Sequence, residues 1–281
     1  MTPDPILLGH SPDADDAFMF FGLAKNLVDS EGLRFEHVLQ DIETLNRRAQ
    51  KGELHVTAVS LHGFAYVRER YGLLRCGASI GDGYGPVVIS TKPLRAEELA
   101  GKRIAVPGTL TTAYLAMRLH TPQFTEVVLP FNEVQHAVRR GEVDAGVIIH
   151  EGQLTWAEEG FRCVVDLGQW WQQQTRGPLP LGANAVRLDL GKPLMQKIGR
   201  VLERSIRYGL EHRQAGIDHA MTYARGLERK RADTFIGMYV NDYTLDFGEA
   251  GKEGVRQLMR RGMAAGLLPK GPVEPVFVDA Q

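Results

Sequence analysis

The sequence predicts an α/β protein of two lobes with a ligand cleft between them. Three observations point there. Short apolar runs alternate with amphipathic segments, the pattern of strand–helix–strand units. The same succession starts a second time at Arg103. Two stretches rich in Gly and Pro, residues 78–91 and 177–182, fall where the chain would pass between lobes.

Taken in order, residues 5–9 read as a first strand, and a helix follows over 14–27 with Phe18, Phe20, Leu23 and Leu27 apolar. Residues 33–39 form a second strand, 42–51 a helix stopped by Gly52, 54–60 a third strand and 61–69 a helix. Residues 87–90 read as a strand crossing between lobes. The second copy has strands at 103–106, 126–129 and 143–149, with helices at 112–119 and 133–140, the latter stopped by Gly141. Lys51-Gly52-Glu53-Leu54 and Arg140-Gly141-Glu142-Val143 match in role and residue type, which marks an internal duplication. After Trp170-Trp171, read as packing aromatics, residues 177–182 cross back and 183–186 form a strand. Helices are expected over 194–212, 214–226, 229–239 and 249–266, with a loop at 243–246, packing back on the first lobe. The expected division is a discontinuous large lobe, residues 1–92 with 188–281, and an inserted small lobe, 93–187. Two crossings between α/β lobes are the architecture of periplasmic-binding-protein-like folds, whose ligands bind at the carboxyl ends of strands.

The 281 residues are 43% hydrophobic and 24% charged, the composition of a globular chain. Lys and Arg number 33 against 34 Asp and Glu, a net charge of −1, so no footprint for nucleic acid or a membrane surface is present. No run reaches the roughly 18 apolar residues that span a bilayer. The opening Met1-Thr2-Pro3-Asp4-Pro5 lacks a secretory pattern, and a cytoplasmic protein is expected. Cys76 and Cys163 are far apart in apolar contexts and read as buried thiols. No phosphate loop, dinucleotide fingerprint or nucleophile elbow occurs. No metal site is expected: Asp13-x-Asp15-Asp16 lacks the Gly and Glu of a calcium loop.

Candidate ligand contacts gather at four strand ends. After the first strand stand Ser11, Asp13, Asp15 and Asp16, and after its counterpart Thr111 and Thr112, all at helix starts that can either cap the helix or meet a ligand. At the ends of the third strands lie Ala58-Val59-Ser60 and Ile148-Ile149-His150. An imidazole leaving a sheet at its carboxyl edge suits a general base, and it equally suits a structural role. His10 and His62 could reach the cleft mouth.

These residues resemble one family, the 1,4-dihydroxy-6-naphthoate synthases of the futalosine route to menaquinone. The resemblance covers nearly the whole chain. It rests on Gly9-His10-Ser11-Pro12, Asp41-Ile42-Glu43-Thr44-Leu45-Asn46-Arg47, Pro107-Gly108 with Thr111-Thr112-Ala113-Tyr114, Ile148-Ile149-His150-Glu151 and Leu179-Pro180-Leu181-Gly182-Ala183. It implies a type II periplasmic-binding-protein fold and a cofactor-free lyase. The implied reaction takes cyclic dehypoxanthinyl futalosine, a nucleoside-derived organic acid, to dihydroxynaphthoate with release of a dihydroxyacetone-type fragment. By the same resemblance His150 is the catalytic base, and Ser60, Thr111 and Thr112 contact substrate. The chain departs from the family pattern at Asp13-Ala14-Asp15 and at Ala58, where a lysine is usual. Two other readings share the fold, a non-catalytic solute-binding or sensor protein and the sister enzyme chorismate dehydratase. The missing export signal and the His150 and Thr111-Thr112 motifs favour the synthase.

Overall fold

The strands collect into two sheets, and each sheet is built around one copy of the duplicated unit. The computed structural model of the chain describes residues 4–223 and 228–279. In the first copy, β1 (Ile6–His10), α1 (Ala14–Met19), α2 (Phe21–Ala24), β2 (Phe35–Leu39), α3 (Ile42–Lys51) and β3 (Val56–Ser60) place β1 between parallel partners β2 and β3. After α4 (Leu61–Phe64), β4 (Tyr71–Leu74), β5 (Ser79–Gly81) and β6 (Val87–Ser90) comes the second copy. It comprises β7 (Arg103–Val106), α5 (Thr112–His120), β8 (Thr125–Val128), α6 (Val134–Arg140) and β9 (Ala145–Ile148), with β7 again between parallel neighbours. Both α3 and α6 end on a glycine in the left-handed region, Gly52 at φ 72° and Gly141 at φ 71°, which is why the basic-Gly-acidic signature recurs.

The remainder runs α7 (Gly152–Thr155), β10 (Arg162–Asp166), α8 (Leu167–Thr175), β11 (Leu179–Arg187), α9 (Lys192–Glu211), α10 (Arg213–Ala220), α11 (Arg229–Tyr239), α12 (Asp242–Leu245), α13 (Gly248–Ala264) and β12 (Phe277–Val278). The seven-stranded sheet has the order β12-β4-β11-β3-β1-β2, with β5 paired to β11, and the five-stranded sheet is β10-β6-β9-β7-β8. The chain therefore changes sheets at residues 82–86 and 176–178. Both crossings precede the expected boundaries at 92/93 and 187/188, because β6 adds antiparallel to β9 while β11 inserts between β3 and β4.

Other expectations shift for local reasons. The helix expected over 14–27 breaks at Phe20, since Phe18, Met19, Phe20 and Phe21 are all buried and cannot share one face of a straight helix. The strands β4, β5 and β10 and the helix α8 lie where no element was expected; α8 starts on Asp166, whose carboxylate accepts from the N–H groups of Gly168 and Gln169. The loop expected at 243–246 is the short helix α12, capped by Asn241. The end of the helix expected over 214–226 falls on residues 224–227, outside the described residues. Cys76 is buried as expected, but Cys163 is exposed because β10 is an edge strand. Trp171 is buried with its indole N–H donating to the Pro178 carbonyl at 3.0 Å, a packing role.

One hydrophobic core joins the sheets, running from Phe64 and Tyr71 past Leu115 and Trp171 to Val88, Ile104 and Val147. A second holds α1, α9, α10 and α11 against β1 and β3, the helical layer expected on the first lobe. Among the described residues no helix is long and apolar enough to cross a membrane.

Candidate functional site

Four parallel strands, β1 and β3 of one sheet and β7 and β9 of the other, point their carboxyl ends at a shared cavity of about 140 Å³. Ser11, Asp13, Asp15 and Asp16 line it after β1, and Ala58, Val59 and Ser60 at the end of β3. Thr111, Thr112 and Ala113 follow β7, and Ile149 and Gln153 follow β9. From β11 come Gly182, Ala183 and Asn184, and Phe235 and Tyr239 from α11. Seven expected contacts, Ser11, Asp16, Ala58, Val59, Ser60, Thr111 and Thr112, thus meet at one cavity. Asn184, Gln153, Phe235 and Tyr239 were not expected. A lone polar residue inside the apolar strand Ala183–Val186 was the visible signal for Asn184; α7 and α11 reach the cleft only through tertiary packing.

The acidic wall is shaped by α1. The Ser11 N–H donates to Asp16 Oδ2 at 2.6 Å, which tightens the turn from β1 into the helix. Burial raises the Asp16 carboxyl to about 6, an effect the Ser11 N–H opposes. Burial first, then the neighbouring Asp16, Asp13 and Glu151, hold Asp15 well above the usual carboxylate range.

The hydroxyls of the threonine pair are bonded within the protein, as the capping alternative allowed. Thr111 caps α5, donating to the Gly108 carbonyl at 2.8 Å and accepting from the Tyr114 N–H at 3.1 Å. Thr112 donates to the Leu181 carbonyl at 2.6 Å and accepts from the His62 N–H at 3.2 Å. Their hydroxyl protons are committed to the protein, so the ligand side of this turn offers backbone amides and methyl groups.

The histidines are equally committed. His10 Nδ1–H donates to the Ser11 carbonyl, and its Nε2 accepts from His37 Nδ1–H at 2.9 Å. Burial and then the His37 charge push His10 down to about 3. His62 Nδ1–H donates to the Thr111 carbonyl at 3.1 Å, and burial pushes it down to about 4. Neither ring is part of the cavity lining, because each is pinned behind the strand end by a backbone carbonyl. His150, the expected base, is 9% exposed and is not among the lining residues, although Ile149 before it and Gln153 after it are. Its Nδ1 accepts from the Gly152 N–H at 3.0 Å, and its ring meets Phe131 edge-on at 5.2 Å.

Bonds span the cleft on both sides. Tyr239 Oη donates to Gln153 Oε1 at 2.6 Å, and Arg231 pairs with Glu158 at 2.6 Å. Opposite them, Glu43 Oε2 accepts from the Leu110 N–H at 3.0 Å. A cavity of about 140 Å³ compares with the ~150 Å³ that holds a single aromatic ring. A fused bicycle enters only if these ties loosen.

A family model described as menaquinone biosynthesis matches residues 6–264. The chain is 40% identical over 275 residues to a 1,4-dihydroxy-6-naphtoate synthase of Thermus thermophilus, covering 98% of this chain and 100% of that protein. A crystal structure of protein AF1704 from Archaeoglobus fulgidus superposes with a TM-score of 0.91 at 46% identity, covering 94% of this chain and 98% of that one. For the fold alone, a Candida albicans protein described as having the generic periplasmic binding protein fold superposes with a TM-score of 0.72 at 14% identity, over 95% of this chain and 92% of that one. With a match that spans both sheets and every strand end at the cavity, the chain belongs to the menaquinone-biosynthesis family that includes the 1,4-dihydroxy-6-naphthoate synthases.

Proposed function

We propose that the chain is a cofactor-free lyase that converts cyclic dehypoxanthinyl futalosine to 1,4-dihydroxy-6-naphthoate. The observation that carries the reading is the cavity at four strand ends, in a chain 40% identical to a synthase of that name along its whole length. Ties across the cleft support a closure that orients the ring and excludes water while a C–C bond breaks. Two lobes, one around each sheet, part to admit the substrate.

His150 is the proposed general base. It follows the carboxyl end of β9 by two residues and comes directly after the lining residue Ile149. With Nδ1 holding the Gly152 N–H, the neutral ring carries its proton on Nε2. The ring must therefore release Gly152 and turn an unprotonated nitrogen toward the substrate, a movement that opening of the cleft permits. The test is turnover of cyclic dehypoxanthinyl futalosine by purified protein, with the naphthoate detected by mass. His150→Asn should lower turnover by about 10² or more while the fold survives. Near-normal turnover removes His150 as the base, and no naphthoate from the unaltered protein removes the synthase reading.

A further inference from the structure

Asn184 lies in the middle of β11, directly opposite Ala58 of β3, with Ala183, Ala185 and Val186 beside it. It is 1% exposed, and its Nδ2 has no hydrogen-bond partner among the described residues. An unpaired buried amide is uncommon and unfavourable, so a position needed only for packing would carry an apolar side chain. The chain instead makes room for it. Gly77 sits at φ 81°, and a Cβ there would lie 2.0 Å from Asn184 Nδ2. Asn184, Gly77 and Ala58 all line the cavity.

The rest of the lining says what this amide could meet. Among the described residues no Lys, Arg or His lines the cavity, and Asp13, Asp15 and Asp16 make one wall acidic. A ligand carboxylate is disfavoured beside Asp13 and Asp16 and is best held by neutral donors away from them. The hydroxyl protons of Thr111, Thr112 and Tyr239 are already spent within the protein. On β11 and the strands paired with it, the side-chain donors left at the cavity are Asn184, Ser60 two residues along the same face of β3, and Ser79 of β5.

We propose that Asn184 is a specificity-determining residue of the cleft, its carboxamide N–H donating to the ligand carboxylate; this rests on the synthase reading above. The test titrates the unaltered chain, Asn184→Ala and the near-isosteric Asn184→Asp with 1,4-dihydroxy-6-naphthoate and with 1,4-dihydroxynaphthalene, the same rings without the carboxylate, under reducing conditions. The expected result is a loss of about tenfold or more in affinity for the acid in Asn184→Ala, with the diol unchanged. Asn184→Asp should lose more of the acid, because it sets one carboxylate against another, and it decides the matter if the alanine variant does not fold. Equal losses for both ligands, or unchanged affinity for the acid, overturn the assignment and leave the synthase reading standing. An unaltered chain that binds neither ligand overturns both.

Discussion

Replacing Thr112 by Val keeps the β-branched shape but removes a hydroxyl that joins three segments: α5, α4 through the His62 N–H, and β11 through the Leu181 carbonyl. The His62 N–H is buried, and losing its acceptor costs about 1–3 kcal/mol. The Leu181 carbonyl is only half-buried and regains water, so its loss costs less than about 1 kcal/mol. The buried methyl returns about 0.8 kcal/mol. Unfolding free energy should therefore fall by about 2 kcal/mol, while Thr112→Ser, which keeps the hydroxyl, loses less than half of that. Urea unfolding followed by circular dichroism at pH 7 reads both midpoints, with the slope expected unchanged. Equal midpoints for Thr112→Val and the unaltered chain would refute the reasoning and return this hydroxyl to the ligand.

Other outcomes follow from the same geometry. His10 and His62 titrate near 3 and 4 when folded against an ordinary 6.5, so the unfolded chain binds more protons between those values and stability falls as pH drops below 6.5. From pH 7 to pH 5 each contributes a loss of roughly 2 kcal/mol. Asp16, raised to about 6, opposes them by about 1 kcal/mol, and Asp15 acts in the same sense. A net loss of stability is expected by chemical unfolding at the two pH values, because burial also holds His37, His55, His120 and His219 below their ordinary range and adds to the loss, and a flat profile would contradict it. Gly141→Ala should lose about 1 kcal/mol through its backbone alone, since nothing lies within 4 Å of the added carbon; Gly141→Asn should lose less, because asparagine tolerates the left-handed region. Matching thermal midpoints for the Ala and Asn variants would argue against that conformation.

Much of the site was readable because topology did the placing. Once β1, β3, β7 and β9 are recognised as parallel strands, their carboxyl ends and the residues after them follow. Ser11, Asp16, Ser60, Thr111 and Thr112 accordingly all line the cavity. The orientation of side chains at those ends was not readable. The Thr112 hydroxyl finds its acceptor 69 residues away, and Tyr239 meets Gln153 across 86. Whether such a group faces a ligand or the protein depends on partners that no local pattern names. His150 comes two residues after β9 ends and outside the cavity lining, its Nδ1 accepting from the Gly152 N–H.

The sequence by itself determined the duplicated unit, the bounds of α3 and α11, and the glycine stops at Gly52 and Gly141, all of which rest on periodicity and backbone preference within a few residues. Tertiary structure alone decided which sheet takes β6 and β11 and where α7 and α11 meet. It also decided that Asn184 keeps an unpaired N–H beside Gly77. Strand insertion and hydrogen-bond pairing are settled by whole-chain packing, in which each polar group takes whatever partner the closed fold brings within about 3 Å.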